Sequence, residues 1–115
     1  MVKISIKKAN EQQREADDAF STFIRARDNW CCVLCGNDYR PCAHHIIPRE
    51  RKEFRYCEDN ALTLCIFHHK FSRIISAHNN PLAFFLWLQR FKPLFYAVAV
   101  ERTKKILLDD GIQFT

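Results

Sequence analysis

Two short Cys/His pairs constrain this chain more than any other feature: Cys32-Val33-Leu34-Cys35 and Cys65-Ile66-Phe67-His68. Each pair can close on one ion through a tight turn. Together they supply the four soft or borderline ligands of a tetrahedral zinc site. With every position filled by protein, such a site stabilises a fold rather than catalyses. The alternative for either pair alone is buried free thiols; two pairs in register favour the metal. The spacer from Cys35 to Cys65 far exceeds the roughly 12–15 residues between the pairs of a common two-strand zinc finger, so other structure lies between them. Cys31, Cys42 and Cys57 are read as dispensable for metal, the first two as packing residues.

At 115 residues the chain has the size of one domain. Its 48% hydrophobic and 27% charged content is that of a globular chain. A core this small gains from a structural metal. The net charge of +5 suits a polyanionic partner, DNA or RNA. Met1-Val2-Lys3-Ile4-Ser5 is short and mixed, unlike a secretory signal. No apolar run reaches the length of a membrane span; the longest, Pro81 to Leu88, breaks at Gln89-Arg90. The expectation is a cytoplasmic chain with no membrane partner, in which clustered cysteines beside histidines ligate metal rather than pair as disulfides.

Val2, Ile4 and Ile6 alternate with polar residues and predict a short strand or extended arm. Asn10 with Gln13 resembles a capping box. Ala16, Ala19, Phe20, Phe23, Ile24 and Arg27 then recur at helical spacing, predicting a helix from Asn10 to Asp28. Cys32 to Gly36 reads as a knuckle, Ala43 to Ile47 as a strand stopped at Pro48, and Leu62 to Leu64 as a second strand. A helix is predicted from Ile66 to Ala77. Asn80-Pro81 starts another, and Pro93 a last one that ends before Gly111.

His44-His45 and His68-His69 form a second constellation. Neighbours on a helix diverge by about 100°. If His68 faces zinc, His69 therefore faces elsewhere, near a helix N-terminus whose dipole disfavours imidazolium and keeps the ring available as a ligand. His44 and His45 would point to opposite faces of a regular strand, but a relaxed strand end lets both reach one cleft. One can then bind metal while the other deprotonates a water, the pairing that phosphodiester hydrolysis needs. The Asn60 amide can pin the charged loop and orient the base. A pair of satisfied histidines is the plainer reading of His44-His45; Asn60 and His69 weigh against it.

Over residues 30–73, Cys-x2-Cys, His-His-Ile-Ile-Pro and Asn-x-x-x-Leu-Cys-x2-His-His resemble the HNH endonuclease family of ββα-metal nucleases. The usual family ending is Leu-Cys-x2-Cys-His; here His68 stands for the last cysteine. The resemblance implies an α+β fold: a zinc-stabilised ββα core, an N-terminal helical arm over 1–29 and a helical extension over 79–111, all in one domain. It implies that His45 is the general base that activates water and that Asn60 orients this base. His44 and His69 would hold a divalent ion (magnesium, manganese, nickel or zinc) that contacts the scissile phosphate and stabilises the leaving 3′ oxygen. Cys32, Cys35, Cys65 and His68 would hold structural zinc. The family reaction cleaves DNA and leaves 5′-phosphate and 3′-hydroxyl ends. Ser76 to Leu82 with Phe85 and Trp87 is also similar to small HNH proteins encoded by bacteriophages, which implies a bacterial host cell.

Arg49, Arg51, Lys52 and Arg55, with Lys70 and Arg73, are the candidate DNA-phosphate contacts. No recognition helix with base-reading side chains is evident. The rival reading is a non-catalytic, zinc-stabilised nucleic-acid-binding module, which would need neither His45 nor Asn60. Phe84, Trp87, Phe91 and Phe95 leave room for a protein partner or a homodimer. His78 is not counted as a ligand.

Overall fold

The computed structural model describes residues 2–113. It is an α+β arrangement of α1 (Val2–Arg27), β1 (Cys42–His45), β2 (Ala61–Leu64), α2 (Pro81–Phe91) and α3 (Pro93–Asp109). Short 3-10 turns lie at Lys52–Phe54 and Glu58–Asn60, and one π-type turn at Phe67–Phe71. Among the described residues, no helix is long and apolar enough to cross a membrane.

Helix α1 runs back to Val2, so the Val2/Ile4/Ile6 alternation makes no strand and Asn10 lies inside the helix. A strand needs an edge to pair with, and the sheet described here holds β1 and β2 alone. The neighbouring Lys, Ala, Glu and Gln residues are good helix formers. The end of α1 is set by chemistry local to it. Trp30 N–H donates to Arg25 O at 2.7 Å and Asn29 N–H to Ala26 O at 3.1 Å, with Asn29 at φ 57°. That is a Schellman cap with Asn in the left-handed position. Of the apolar stripe, Ile24 is fully buried and Phe20 half-buried, but Phe23 is exposed.

Strands β1 and β2 pair antiparallel, with His44 opposite Leu62 and His45 opposite Ala61. Thr63 joins three parts of the molecule. Its N–H donates to Asp28 Oδ2 at 2.9 Å, its hydroxyl to Ile24 O at 3.3 Å, and its carbonyl accepts from Val33 N–H at 2.9 Å. Arg27 adds bonds to the Glu58 and Ala61 carbonyls at 2.7 and 2.8 Å. The end of α1 is thereby bound to β2. On the other side, Leu62, Leu64, Phe84, Leu88 and Ala99 pack with Cys32 and Cys65 into the core. Burying each large side chain stabilises by roughly 1.5–3 kcal/mol.

The helix predicted from Ile66 to Ala77 is absent. Ser72 N–H closes the π-type turn on Phe67 O at 2.8 Å, and Ser72 itself is extended. The carbonyls of His68 and His69 then accept from Ala77 and His78 N–H at 2.9 and 3.0 Å, not from the next helical turn. Ser72 Oγ accepts from Ile75 N–H and Ser76 Oγ from Asn79 N–H, which stabilises the fold-back against a helix. The later helices agree with the sequence. Asn80 Oδ1 caps α2 through Ala83 N–H at 3.3 Å, Pro93 starts α3, and Gly111 at φ 85° ends it.

Candidate metal centres

The knuckle after α1 brings Cys32 and Cys35 to the start of the π-type turn. Gly36 at φ 77° makes that reversal, donating its N–H to Cys32 O at 2.8 Å. The ligand atoms of Cys32, Cys35, Cys65 and His68 all lie within 4.8 Å of one another. Tetrahedral zinc with Zn–S of about 2.3 Å and Zn–N of about 2.0 Å sets S···S near ~3.8 Å and S···N near ~3.5 Å. The sulfurs of Cys35 and Cys65 are 3.8 Å apart, and His68 Nδ1 lies 3.4 Å from Cys65 Sγ and 3.9 Å from Cys32 Sγ. The cluster is therefore close enough to hold a metal ion and fits zinc. Burial pushes the Cys35 thiol up to about 11, Asn37 N–H opposes this, and the sulfurs of Cys32 and Cys65 add to it. Packed thiols of this kind ionise when a cation compensates them. Cys31, Cys42 and Cys57 lie outside the cluster; the Cys42 and Cys57 thiols face the carbonyls of Arg40 and Glu53.

A second group consists of His44, His69 and His78, again with ligand atoms within 4.8 Å. The strand supplies His44, the π-type turn His69, and the fold-back His78. Ring centroids are 5.1 Å apart for His44–His69, 5.2 Å for His44–His78 and 4.6 Å for His69–His78. Phe84 closes the His44 ring from beneath at 5.6 Å. Nε2 of His69 faces Nε2 of His78 at 3.0 Å, while His69 Nδ1 is buried with no hydrogen-bond partner among the described residues. Placing the His69 proton on either nitrogen leaves the other, or its hydrogen, unsatisfied by protein. With Nε2 of His69 and of His78 turned toward each other, a cation among the three rings would be met by their lone pairs, and Nδ1 would then carry the His69 proton. Burial, with His69, His78 and His45 nearby, pulls His44 down to about 3. Burial, then His78 and Lys70, brings His69 to about 4. Both rings are neutral near pH 7, the ligating form. For His69 the cause is burial beside His78 and not the expected helix dipole, because the helix is not there. Three protein ligands also leave coordination positions open, as catalytic ions require.

His45 does not enter this group. Its strand is regularly paired, so the expected relaxation of the strand end does not occur. The His44 ring packs on α2 through Phe84, and the His45 ring on α1 through Phe20 at 5.5 Å. His45 Nε2 lies 2.8 Å from the Arg55 carbonyl. A carbonyl only accepts, so Nε2 carries a proton, and in the neutral ring Nδ1 carries the free lone pair. Asn60, 1% exposed, makes none of its side-chain hydrogen bonds to the His45 ring. Its amide instead pins the loop: Nδ2 donates to Ile47 O at 2.9 Å and to Phe54 O at 3.2 Å, and Oδ1 accepts from Ile47 N–H at 2.9 Å.

The basic residues divide. Arg49, Lys52, Lys70 and Arg73 are exposed. Arg51 is exposed and pairs with Asp110 at 3.2 Å. Arg55 is placed differently from the expectation of a DNA contact: its guanidinium is held by Asp17 and the Arg49 carbonyl, and its side chain is 12% exposed. Of the aromatic tail, Phe84 is core, Trp87 and Phe95 pack against it, and Phe91 is exposed.

Sequence reasoning missed His78 and Asp17. The signal for His78 was its residue type alone, because its approach to His69 depends on a fold-back. Asp17 gave no signal on the polar side of a helix. Comparison of the chain with protein-family models, curated proteins and solved structures returns no match.

Proposed function

We propose that this chain is a metal-dependent DNA endonuclease of the HNH type, with zinc on Cys32, Cys35, Cys65 and His68 as its structural ion. The strands β1 and β2 with the π-type turn would form a ββα-metal core whose helix is cut to one turn. The observation that carries the reading is the state of His45. It neighbours the His44–His69–His78 triad in sequence, and its bond to Arg55 O makes Nδ1 the nitrogen that carries the lone pair of the neutral ring.

A divalent ion held by His44, His69 and His78 would supply Lewis acidity to the scissile phosphate and its leaving 3′ oxygen. His45 Nδ1 takes the proton of the attacking water. In-line displacement sets attacking and leaving oxygens on opposite sides of phosphorus. His44 and His45 address opposite faces of β1, so this reading requires the phosphate to lie where both can reach it, at the strand end. Asn60 holds the loop that carries the Arg55 carbonyl. Lys52, Lys70, Arg73 and Arg49 are free to contact phosphates, which positions DNA without reading sequence.

The test is plasmid nicking by His45→Ala with added divalent ions. Loss of a general base lowers the rate by about 10²–10⁴-fold, with zinc and fold retained. A variant that nicks as fast as wild type overturns the mechanism. A wild-type chain that binds DNA but cuts none with any divalent ion supports the non-catalytic binding module instead.

A further inference from the structure

Arg55 is held at both ends. Its main-chain carbonyl accepts the His45 Nε2 proton at 2.8 Å. Its guanidinium donates to both carboxylate oxygens of Asp17 on α1, Nε to Oδ1 at 2.8 Å and Nη2 to Oδ2 at 2.5 Å. A third donor, Nη1, reaches Arg49 O at 3.1 Å and ties the start of the loop to its end. The Tyr56 hydroxyl adds a bond to Asp17 Oδ1 at 2.9 Å. The pair is well covered, with side chains 12% and 19% exposed. One helical turn on from Asp17, Phe20 packs against both the His45 ring and the Tyr56 ring, at 5.5 and 5.7 Å.

The stretch between β1 and β2 has no sheet ladder, only two short 3-10 turns. The direction of the Arg55 carbonyl therefore depends on the few backbone bonds of these turns, Arg55 N–H to Lys52 O at 3.3 Å among them, and on side-chain anchors. Asn60 fixes the preceding peptide through Phe54 O. The Asp17 fork fixes Arg55 itself. Bidentate guanidinium–carboxylate geometry is directional, so it sets orientation as well as proximity. A neutral imidazole has two tautomers, and the group that bonds one nitrogen decides which nitrogen is left as the base.

We propose that Asp17 is a positioning residue for His45: through its fork to Arg55 it aims the Arg55 carbonyl and so keeps Nδ1 of His45 as the free base. The catalytic part of this inference rests on the nuclease reading; the tautomer part does not. Asp17 bonds to Arg55 and Tyr56 and lies outside the triad. Its loss is thus expected to act on turnover and to leave substrate binding alone.

The experiment uses the full zinc-loaded chain. The His45 ring nitrogens are read by ¹H–¹⁵N NMR, and plasmid nicking is measured across substrate concentrations, in wild type, Asp17→Asn and Asp17→Glu. The wild type is expected to show the Nε2–H tautomer alone. Asp17→Asn should show a mixture, with kcat down about 10–100-fold, as for other outer-shell partners, and KM within about twofold. Asp17→Glu should restore both readouts in part. A His45 tautomer unchanged in Asp17→Asn overturns the proposal, as does an unchanged kcat. If Asp17→Asn does not fold, Arg55→Lys removes the fork while keeping the charge, and an unchanged tautomer there is equally fatal. A wild type that cuts no DNA refutes the nuclease reading and the catalytic part, while the NMR arm still decides whether Asp17 sets the tautomer.

Discussion

Nε2 of His69 and Nε2 of His78 face each other at 3.0 Å, although the residues are nine positions apart and no helix joins them. The fold-back through Ser72 and Ser76 makes this contact. It converts a pair of histidines into a triad with His44. His78→Ala should therefore weaken metal binding at the triad by at least the 10–100-fold seen for outer-shell changes. The cysteine cluster is untouched, so calorimetric stoichiometry should fall from two ions per chain to one. Two ions bound as tightly as in wild type would remove His78 from the site.

The triad offers three imidazoles and no carboxylate. Imidazole suits zinc, nickel, copper and iron, whereas magnesium prefers oxygen ligands. Nicking is expected to be faster with nickel or zinc than with magnesium at equal concentration. A strict magnesium requirement, measured after chelation and re-addition, would contradict this ligand set.

Cys35 sits in a cluster that joins the knuckle after α1 to the turn after β2. Removing the ion with a strong chelator, or changing Cys35 to Ser, should lower the melting temperature sharply and lose one equivalent of zinc. Cys57→Ser should retain zinc and stability, because Cys57 lies outside the cluster. Equal zinc content in Cys35→Ser and wild type would show that the cluster is not the site.

Asn60 donates to two carbonyls and accepts from one amide. A carboxylate cannot donate, so Asn60→Asp should be as harmful as Asn60→Ala despite its similar shape. Each stranded buried group costs about 1–3 kcal/mol, so either variant should lose several kcal/mol in urea titration. An Asn60→Asp protein as stable as wild type would show that the loop has another anchor.

Arg55 first, with Tyr56 and Arg49 nearby, holds the Asp17 carboxyl at about 2 against its ordinary 3.8. A carboxyl depressed on folding contributes stability that is fully present above its ordinary value and lost as pH falls through the folded one. Wild type should thus exceed Asp17→Asn by roughly 1.5–3 kcal/mol at pH 7. The difference should shrink as pH falls from about 4 to about 2. Taking a difference between two proteins cancels the other acid-sensitive groups. A gap that stays constant over that range would mean the ion pair is not its source.

What local chemistry controls was legible in the residues alone. Cys-x2-Cys and Cys-x2-His carry their own turn geometry, and the structure brings all four residues together. The Asn80-Pro81 start and the Gly111 stop follow from caps that act within one turn. The two strands follow from short apolar runs, and only their pairing required the rest of the chain.

Long-range packing set where the turn after Cys65 stops, which residue completes the histidine group and what holds the His45 ring. Apolar spacing from Ile66 to Ala77 suits a helix, but the serine hydroxyls and the amides of Ala77 and His78 outcompete the helical bonds. Asp17 and Arg55 lie thirty-eight positions apart, and their pairing depends on how α1 docks against the sheet. Periodicity and motif spacing report on bonds made within a few residues. Long-range hydrogen bonds and burial, which fix the state of His45 and His69, arise once the elements have packed.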